Sequence, residues 1–193
     1  MDKPIPDLIT VEAARDTHRW VAMTALLLPT ELAIGVILHT ISPNVGGVTP
    51  NWTIAMYSIT ISLTKPGPTR ALGIGFVAGL TLIPSSKSAF PLGNIASELS
   101  GALTACLLVK AFALAHLEGL KVKPFIIGFL ATSVSGSVFT YILKLVLGLP
   151  LTVWTHAMLP VVLTVGVLNG VVTQVLYGPV RKIFFATEGK RHE

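Results

Sequence analysis

The chain has 193 residues, of which 52% are hydrophobic and 12% are charged, and its formal net charge is +5 at pH 7. Ordinary globular proteins contain about 25% charged residues, so this composition argues against a soluble enzyme or binding domain. The single cysteine, Cys106, excludes an internal disulfide and a cysteine metal cluster.

The N-terminal segment, residues 1–19, mixes acidic and basic side chains ahead of a long apolar run. That run is long enough to span a membrane, and no small-residue cleavage site ends it, so we do not expect a secretory signal. We interpret residues 1–19 as a cytosolic or interfacial segment and residues 178–193 as a cytosolic basic tail.

The region between these segments, residues 20–177, is dominated by apolar runs. Glu31 and Lys65 are separated by 33 residues without an Asp, Glu, Lys or Arg, as expected in lipid, where a central charge costs roughly 2.5–3.5 kcal/mol. A membrane span needs roughly 20 mostly apolar residues. We predict an all-α integral membrane protein with six transmembrane helices in one compact bundle. The predicted spans, of which the second is short, are residues 20–42, 51–65, 70–86, 93–116, 124–147 and 152–177.

The basic residues lie on one side of these spans. Eleven of the 14 Lys and Arg residues fall in four segments: 1–19, 65–70, 117–123 and 178–193. The loops at 43–50 and 148–151 contain none. This positive-inside pattern places both termini in the cytosol and predicts a multi-pass protein of the plasma membrane. It also accounts for the net charge through contact with anionic lipid and cytosol, so nucleic acid need not be a partner.

Small residues recur at four-residue spacing inside the spans. The pairs are Gly75 and Gly79, Gly101 and Ala105, and Gly166 and Gly170. This spacing lets helices approach closely. It is expected for internal packing of the bundle, and the alternative is a docking face for a membrane partner.

Two acidic residues, Glu98 and Glu31, lie inside predicted spans, where each needs a partner or a function. Asn94, Ser97 and Glu98 share one side of a helix because they are spaced at i, i+3 and i+4. Glu98 either pairs with Lys87 or binds a ligand cation. Glu31 either contacts a partner subunit or pairs with Lys110 across the bundle.

Polar and aromatic residues gather at the predicted outer ends of five spans. Singly, such a Trp is usually an interface anchor and such a His a structural residue. Together they are typical of an outward-facing pocket with an aromatic wall and a few polar groups. The candidate substrate-binding residues are His39, Asn44, Asn51, Trp52, Met56, Lys87, Phe90, Asn94, Ser97, Glu98, Trp154 and His156.

Two segments, residues 38–51 (LHTISPNVGGVTPN) and 90–95 (FPLGNI), resemble the bacterial tryptophan transporter family. Members of that family look like substrate-binding S components of energy-coupling factor importers. The resemblance covers roughly residues 20–110. Asn51 and Asn94 stand where the family pattern has Asp and Gln, so the ligand can differ while the scaffold is shared.

The resemblance implies a six-helix bundle whose first span packs against a transmembrane coupling subunit driven by ATPases. The residues assigned to that contact are Ala22, Ala25, Glu31 and Ala33. The expected function is capture of a small organic solute, either tryptophan or a vitamin-like micronutrient, for import. For an amino acid, Lys87 would bind the carboxylate, Glu98 the ammonium, and Trp52 would stack on an indole.

Two other functions remain open at this point. The first is a stand-alone secondary transporter coupled to protons through Glu31 or Glu98. The second, an intramembrane enzyme, is poorly supported because there is no H-E-x-x-H motif, no paired aspartate and no nucleophile elbow. His39 and His156 are too few for a metal site. We therefore predict a transport protein with no enzymatic activity, cofactor or metal.

Overall fold

A computed structural model describes residues 51–189, with side chains described as far as Lys182. Every regular element in that range is a helix. The helices are α1 (Trp52–Thr64), α2 (Pro68–Leu82), α3 (Gly93–Leu114), α4 (Lys123–Val146), α5 (Leu151–Val153), a π-helical turn (Trp154–Met158) and α6 (Leu159–Gly189).

Part of the predicted architecture lies outside the described residues. This part comprises the N-terminal segment 1–19, the first span at 20–42 and the residues His39, Asn44, Ala22, Ala25, Glu31 and Ala33. These remain predictions.

The ends of α1 follow from its sequence. Asn51 caps the N-terminus, since its side-chain Oδ1 accepts a hydrogen bond of 3.1 Å from the Thr53 amide. At the other end Lys65 takes a left-handed conformation (φ 45°) and donates its N–H to the Ile61 carbonyl at 2.9 Å. Pro66 cannot continue the helix, and Pro68 starts α2 because its fixed φ suits a first helical turn.

Helix α1 is the central element of the described bundle. Ten of its 13 residues are buried, and it packs against α3, α4 and α6. The most extensive contacts are those of α4 with α6, of α2 with α3 and of α3 with α4. Successive long helices alternate in direction. The bundle therefore has an Asn51 end, where α1 and α3 begin, and a Lys65 end, where α1 stops and α4 begins.

Close packing between helices depends on glycine at two positions in particular. A Cβ on Gly75 of α2 would lie 2.5 Å from the Glu98 carbonyl of α3. A Cβ on Gly101 of α3 would overlap the Tyr57 hydroxyl and lie 3.0 Å from Ser135 Cβ. Both approaches are inside the bundle, which confirms internal packing as the role of these small residues.

Three helical segments are long and apolar enough to cross a membrane: Gly93–Leu114, Lys123–Val146 and Leu151–Lys182. Helices α1 and α2 have 13 and 15 residues, which correspond to about 20 and 22 Å. Both are shorter than the roughly 30 Å hydrocarbon core. The predicted shortness of the second span is therefore confirmed, and the third is shorter than predicted.

Two helices end at residues other than the predicted ends of their spans. The third span was predicted to reach residue 86, but α2 stops at Leu82. Ile83 still has helical backbone angles and donates to the Leu80 carbonyl, but Pro84 has no N–H with which to continue the helical hydrogen bonds. The last span was predicted to stop at 177, but α6 continues to Gly189 with Pro179 inside it.

Candidate functional site: a buried polar cluster around Glu98

Glu98 on α3 is 1% exposed, which makes it a buried acid inside a membrane-length helix. Its Oε1 accepts a hydrogen bond of 2.6 Å from Asn51 Nδ2. The Oδ1 of the same side chain caps α1, and this orientation directs the Asn51 Nδ2 toward α3. A buried carboxyl without such a partner is strongly destabilising, so this bond fixes the start of α1 against α3.

Asn169 on α6 extends the cluster to a third helix. It is fully buried, and its Nδ2 donates to the Asn51 carbonyl at 2.8 Å and to Thr132 Oγ1 at 3.1 Å. Thr132 lies on α4. Asn51 therefore stands between Glu98 and Asn169, and its backbone and side chain are both engaged.

Two more hydroxyl groups face the Glu98 carboxyl. They belong to Tyr57 on α1 and Ser135 on α4, and both residues are at most 2% exposed. Ser135 follows Thr132 by three positions, so one face of α4 presents both hydroxyls. Gly101, one turn after Glu98, leaves the space that the Tyr57 hydroxyl occupies. The Glu98 cluster, as we name it, consists of Asn51, Tyr57, Glu98, Thr132, Ser135 and Asn169.

Two acceptor atoms of the Glu98 cluster complete no hydrogen bond with the described residues. They are Glu98 Oε2 and Asn169 Oδ1, and both are buried. A buried polar atom without a partner costs about 1–3 kcal/mol, and more when it is charged. Both atoms are oxygens that accept. The Tyr57 and Ser135 hydroxyls are donors beside the same carboxyl, and a bound group with several N–H donors, such as an ammonium, would supply both oxygens with a partner.

The predicted site residues next to Glu98 on α3 have local roles. Asn94 donates to the Pro91 carbonyl at 2.9 Å, and the buried Ser97 donates to the Asn94 carbonyl at 3.1 Å. They stabilise the first turns of α3, whereas Glu98 faces α1. Phe90 is half-buried, and Lys87 is exposed in the connection between α2 and α3.

The remaining predicted site residues are dispersed. Trp52 is half-buried directly after Asn51. Met56 packs with an apolar group of α1 and α6 that includes Ile59 and Leu176. Trp154 donates from Nε1 to Thr140 Oγ1 on α4 at 3.1 Å.

The exposed His156 is the middle residue of the π-helical turn. Its Nδ1 is 3.1 Å from the Thr152 carbonyl, one turn earlier in the same helical segment. Among the predicted site residues that the structure describes, Asn51 and Glu98 are joined by a side-chain hydrogen bond between two helices.

The candidate residues predicted from the sequence do not include Tyr57, Thr132, Ser135 or Asn169. A signal existed for Asn169, since it is the lone amide in an apolar run between residues 158 and 173, and such residues commonly bond across helices. The hydroxyl residues gave no signal, because Ser and Thr are frequent in these helices and most bond to their own backbone.

No group of three or more His, Cys, Asp or Glu side chains suited to a metal occurs within residues 51–182. Between residues 51 and 189 every regular element is a helix, three helical segments are of membrane length, and a polar cluster is buried between helices. These features define an integral membrane protein. Its internal polar groups are of the kind that mark solute or ion pathways.

The comparisons with known proteins identify the class more closely. A family model described as "Tryptophan transporter TrpP" matches residues 18–185. A "Probable tryptophan transport protein" of Clostridium acetobutylicum is 29% identical over 78% of this chain and 87% of its own length. A protein of the same description from Bacillus subtilis is 31% identical over 78% and 86%. No solved structure matches significantly.

The chain therefore belongs to the tryptophan transporter family, as its resemblance indicated. It is a transport protein and not an enzyme.

Proposed function

We propose that this protein binds tryptophan at the Glu98 cluster and carries it across the bacterial plasma membrane. The observation that supports this most is the pair of buried acceptors, Glu98 Oε2 and Asn169 Oδ1, in a cluster joining four helices. An amino acid supplies an ammonium with three donors, and an indole supplies one more N–H.

In the proposed complex, Glu98 binds the substrate ammonium through a charge-assisted hydrogen bond. Trp52, which adjoins Asn51, stacks on the indole. Lys87 lies at the same end of the bundle and attracts the carboxylate. Among the remaining predicted residues, Trp154 supports the pocket by bonding to Thr140 of α4, and the others, including His39 and Asn44, complete the pocket in this proposal.

The proposed orientation follows from charge. Lys65, Arg70, Lys121, Lys123 and Arg181 lie at the Lys65 end of the bundle. By the positive-inside rule this end faces the cytosol, and the Asn51 end faces outward. Together with the first span at 20–42, this gives six transmembrane helices with both termini inside.

For the transport step, we propose that the chain is the substrate-capture subunit of an energy-coupling factor type importer. The first span, through Ala22, Ala25, Glu31 and Ala33, would contact a coupling subunit. ATPases bound to that subunit would then drive release into the cytosol.

The first test is calorimetric titration of the detergent-purified protein with tryptophan, tryptamine and indole-3-propionate. Glu98→Gln is compared with Glu118→Gln, which makes the same change at an exposed position of the Lys65 end. Loss of a charge-assisted bond should weaken tryptophan binding about tenfold to hundredfold. Binding of indole-3-propionate, which has no ammonium, should change little.

Tryptophan binding that is equal in both variants would remove Glu98 from the site. Absence of tryptophan binding by the folded wild-type protein, with a vitamin bound instead, would overturn the proposed substrate.

A second function, proton-coupled transport without a partner, is favoured by one observation. Glu98 is a titratable group buried inside a membrane-length helix, as proton carriers in transporters are. Proteoliposomes containing only this chain separate the two proposals. Uptake driven by an imposed proton gradient would favour the stand-alone transporter, and uptake that requires a coupling subunit and ATP would favour the importer.

A further inference from the structure

A second polar feature lies at the opposite end of α1 from the Glu98 cluster. It is a cavity of about 450 Å³ between the C-terminal part of α1, the connection from α3 to α4 and the C-terminal half of α6. Its charged lining residues are Glu118, Lys121, Lys123 and Arg181. Glu118 is held by Lys65 at 2.6 Å, so the remaining lining charge is positive.

Lys123 is the residue that makes this cavity a candidate binding site. It is 7% exposed, yet it lines the cavity. Its ammonium lies 5.8 Å from the centroid of the Phe112 ring. The Glu118 carboxylate attracts Lys123, but that carboxylate is already bonded to Lys65. Burying a lysine side chain is unfavourable unless its charge is balanced. One carboxylate, Glu118, faces both Lys65 and Lys123, so an anion in the cavity would be stabilised.

Other features of the cavity suit an anion. Lys123 begins α4, a 24-residue helix whose N-terminal end carries partial positive charge. Gln174 holds this end in place, since it accepts from the Phe125 amide at 3.2 Å and donates to the Lys121 carbonyl at 3.0 Å.

The surroundings of the cavity indicate where the anion comes from. The connection between α3 and α4 exposes Leu117, Leu120 and Val122, each at least 40% accessible, next to the membrane-length helices. Apolar side chains beside basic ones are typical of a segment at the boundary of headgroups and acyl chains.

We propose that this cavity binds the phosphate headgroup of an anionic phospholipid. Lys123 and Arg181 contact the phosphate, and the exposed apolar residues of the connection contact the acyl chains. Basic pockets between transmembrane helices bind anionic headgroups by this chemistry. The proposal does not depend on what the Glu98 cluster binds.

The test is native mass spectrometry of the full chain, delipidated in detergent and titrated with phosphatidylglycerol or with phosphatidylcholine of the same acyl chains. The variants are Lys123→Met, which keeps the apolar stem, and Arg181→Gln. Lys182→Gln removes the same charge from the neighbouring exposed residue, which does not line the cavity. Each cavity variant should bind phosphatidylglycerol about fivefold more weakly, and Lys182→Gln should bind it as the wild type does.

Three outcomes would overturn the proposal. Phosphatidylglycerol could bind all three variants and the wild type alike, phosphatidylcholine could bind as tightly as phosphatidylglycerol, or millimolar inorganic phosphate could displace the lipid. The last outcome would assign the cavity to free phosphate. If Lys123→Met is not monodisperse, Arg181→Gln decides the question, because Arg181 is exposed and its substitution leaves the core intact.

Discussion

Asn51 and Glu98 are 47 residues apart in the chain, and a hydrogen bond of 2.6 Å joins their side chains. Asn51 also caps α1 and accepts from Asn169 through its carbonyl. Asn51 thus starts the central helix, donates to a buried acid and accepts a hydrogen bond from α6. A change at any of these positions should affect folding and ligand binding together.

Asn169→Leu tests the contact with α6. The substitution keeps a similar volume but removes the donors to the Asn51 carbonyl and to Thr132. Interhelical hydrogen bonds in membranes are worth about 0.6 kcal/mol on average and at most about 1.7 kcal/mol. We therefore expect a lower melting temperature in detergent and weaker tryptophan binding. Thr132→Val, which removes one acceptor, is the milder control, and equal effects of both variants would argue against a role for the Asn169 carboxamide in binding.

Gly101→Ala tests the packing behind Glu98. The added methyl group would overlap the Tyr57 hydroxyl and crowd Ser135, and overpacking of this kind typically costs about 1–3 kcal/mol. A reduced melting temperature is the expected result. Gly119→Ala is the matched control, because a Cβ at Gly119 meets no atom within 4 Å. A Gly101→Ala protein as stable as Gly119→Ala would mean that α1 and α3 can separate without cost.

The exposed ion pair between Lys65 and Glu118 predicts a pH effect of defined sign. The hydrogen bond from Lys65, and then its charge, hold the pKa of Glu118 below the usual value of 4.5. The folded state therefore gains a small stabilisation at neutral pH, which is lost as the pH falls through the lowered pKa.

Melting temperatures of the wild type and Glu118→Gln should differ slightly at pH 7, converge at acidic pH and converge again in 1 M salt. A difference that grows on acidification would contradict this assignment.

The tryptophans at the Asn51 end should behave differently when each is replaced by phenylalanine. Trp154 uses its indole N–H to bond Thr140, and its ring meets the Tyr141 ring edge-on at 5.3 Å. Trp154→Phe should therefore reduce the free energy of unfolding by about 0.5–1.5 kcal/mol, the contribution of the lost hydrogen bond, and so lower the melting temperature. Tryptophan affinity should change little.

Trp52→Phe should chiefly weaken binding, because Trp52 adjoins Asn51 in the Glu98 cluster. Calorimetric titration and thermal unfolding of both variants would distinguish the loss of affinity in Trp52→Phe from the loss of stability in Trp154→Phe. Weaker tryptophan binding by Trp154→Phe, together with lower stability of Trp52→Phe, would place the substrate next to Trp154 instead.

The amino-acid sequence alone determined much of this protein. The long uncharged runs predicted helices at all five span positions from residue 51 onward, because backbone polar groups in lipid must be satisfied within the segment. The same logic marked Glu98 as significant, since an acid in an apolar helix needs a partner. Residues 38–51 and 90–95 indicated the family, which the comparisons established.

The tertiary structure decided which residues share a site. Sequence periodicity assigns residues to the face of one helix, but it gives neither the rotation of that helix nor its neighbours. Asn169 and Thr132 therefore became visible as partners of Asn51 only once α4 and α6 were packed against α1. Likewise the partner of the Trp154 N–H, Thr140 on α4, became visible only in the packed structure. Pairings across 37 to 118 residues depend on helix packing, where close approach at positions such as Gly75 and Gly101 sets the geometry.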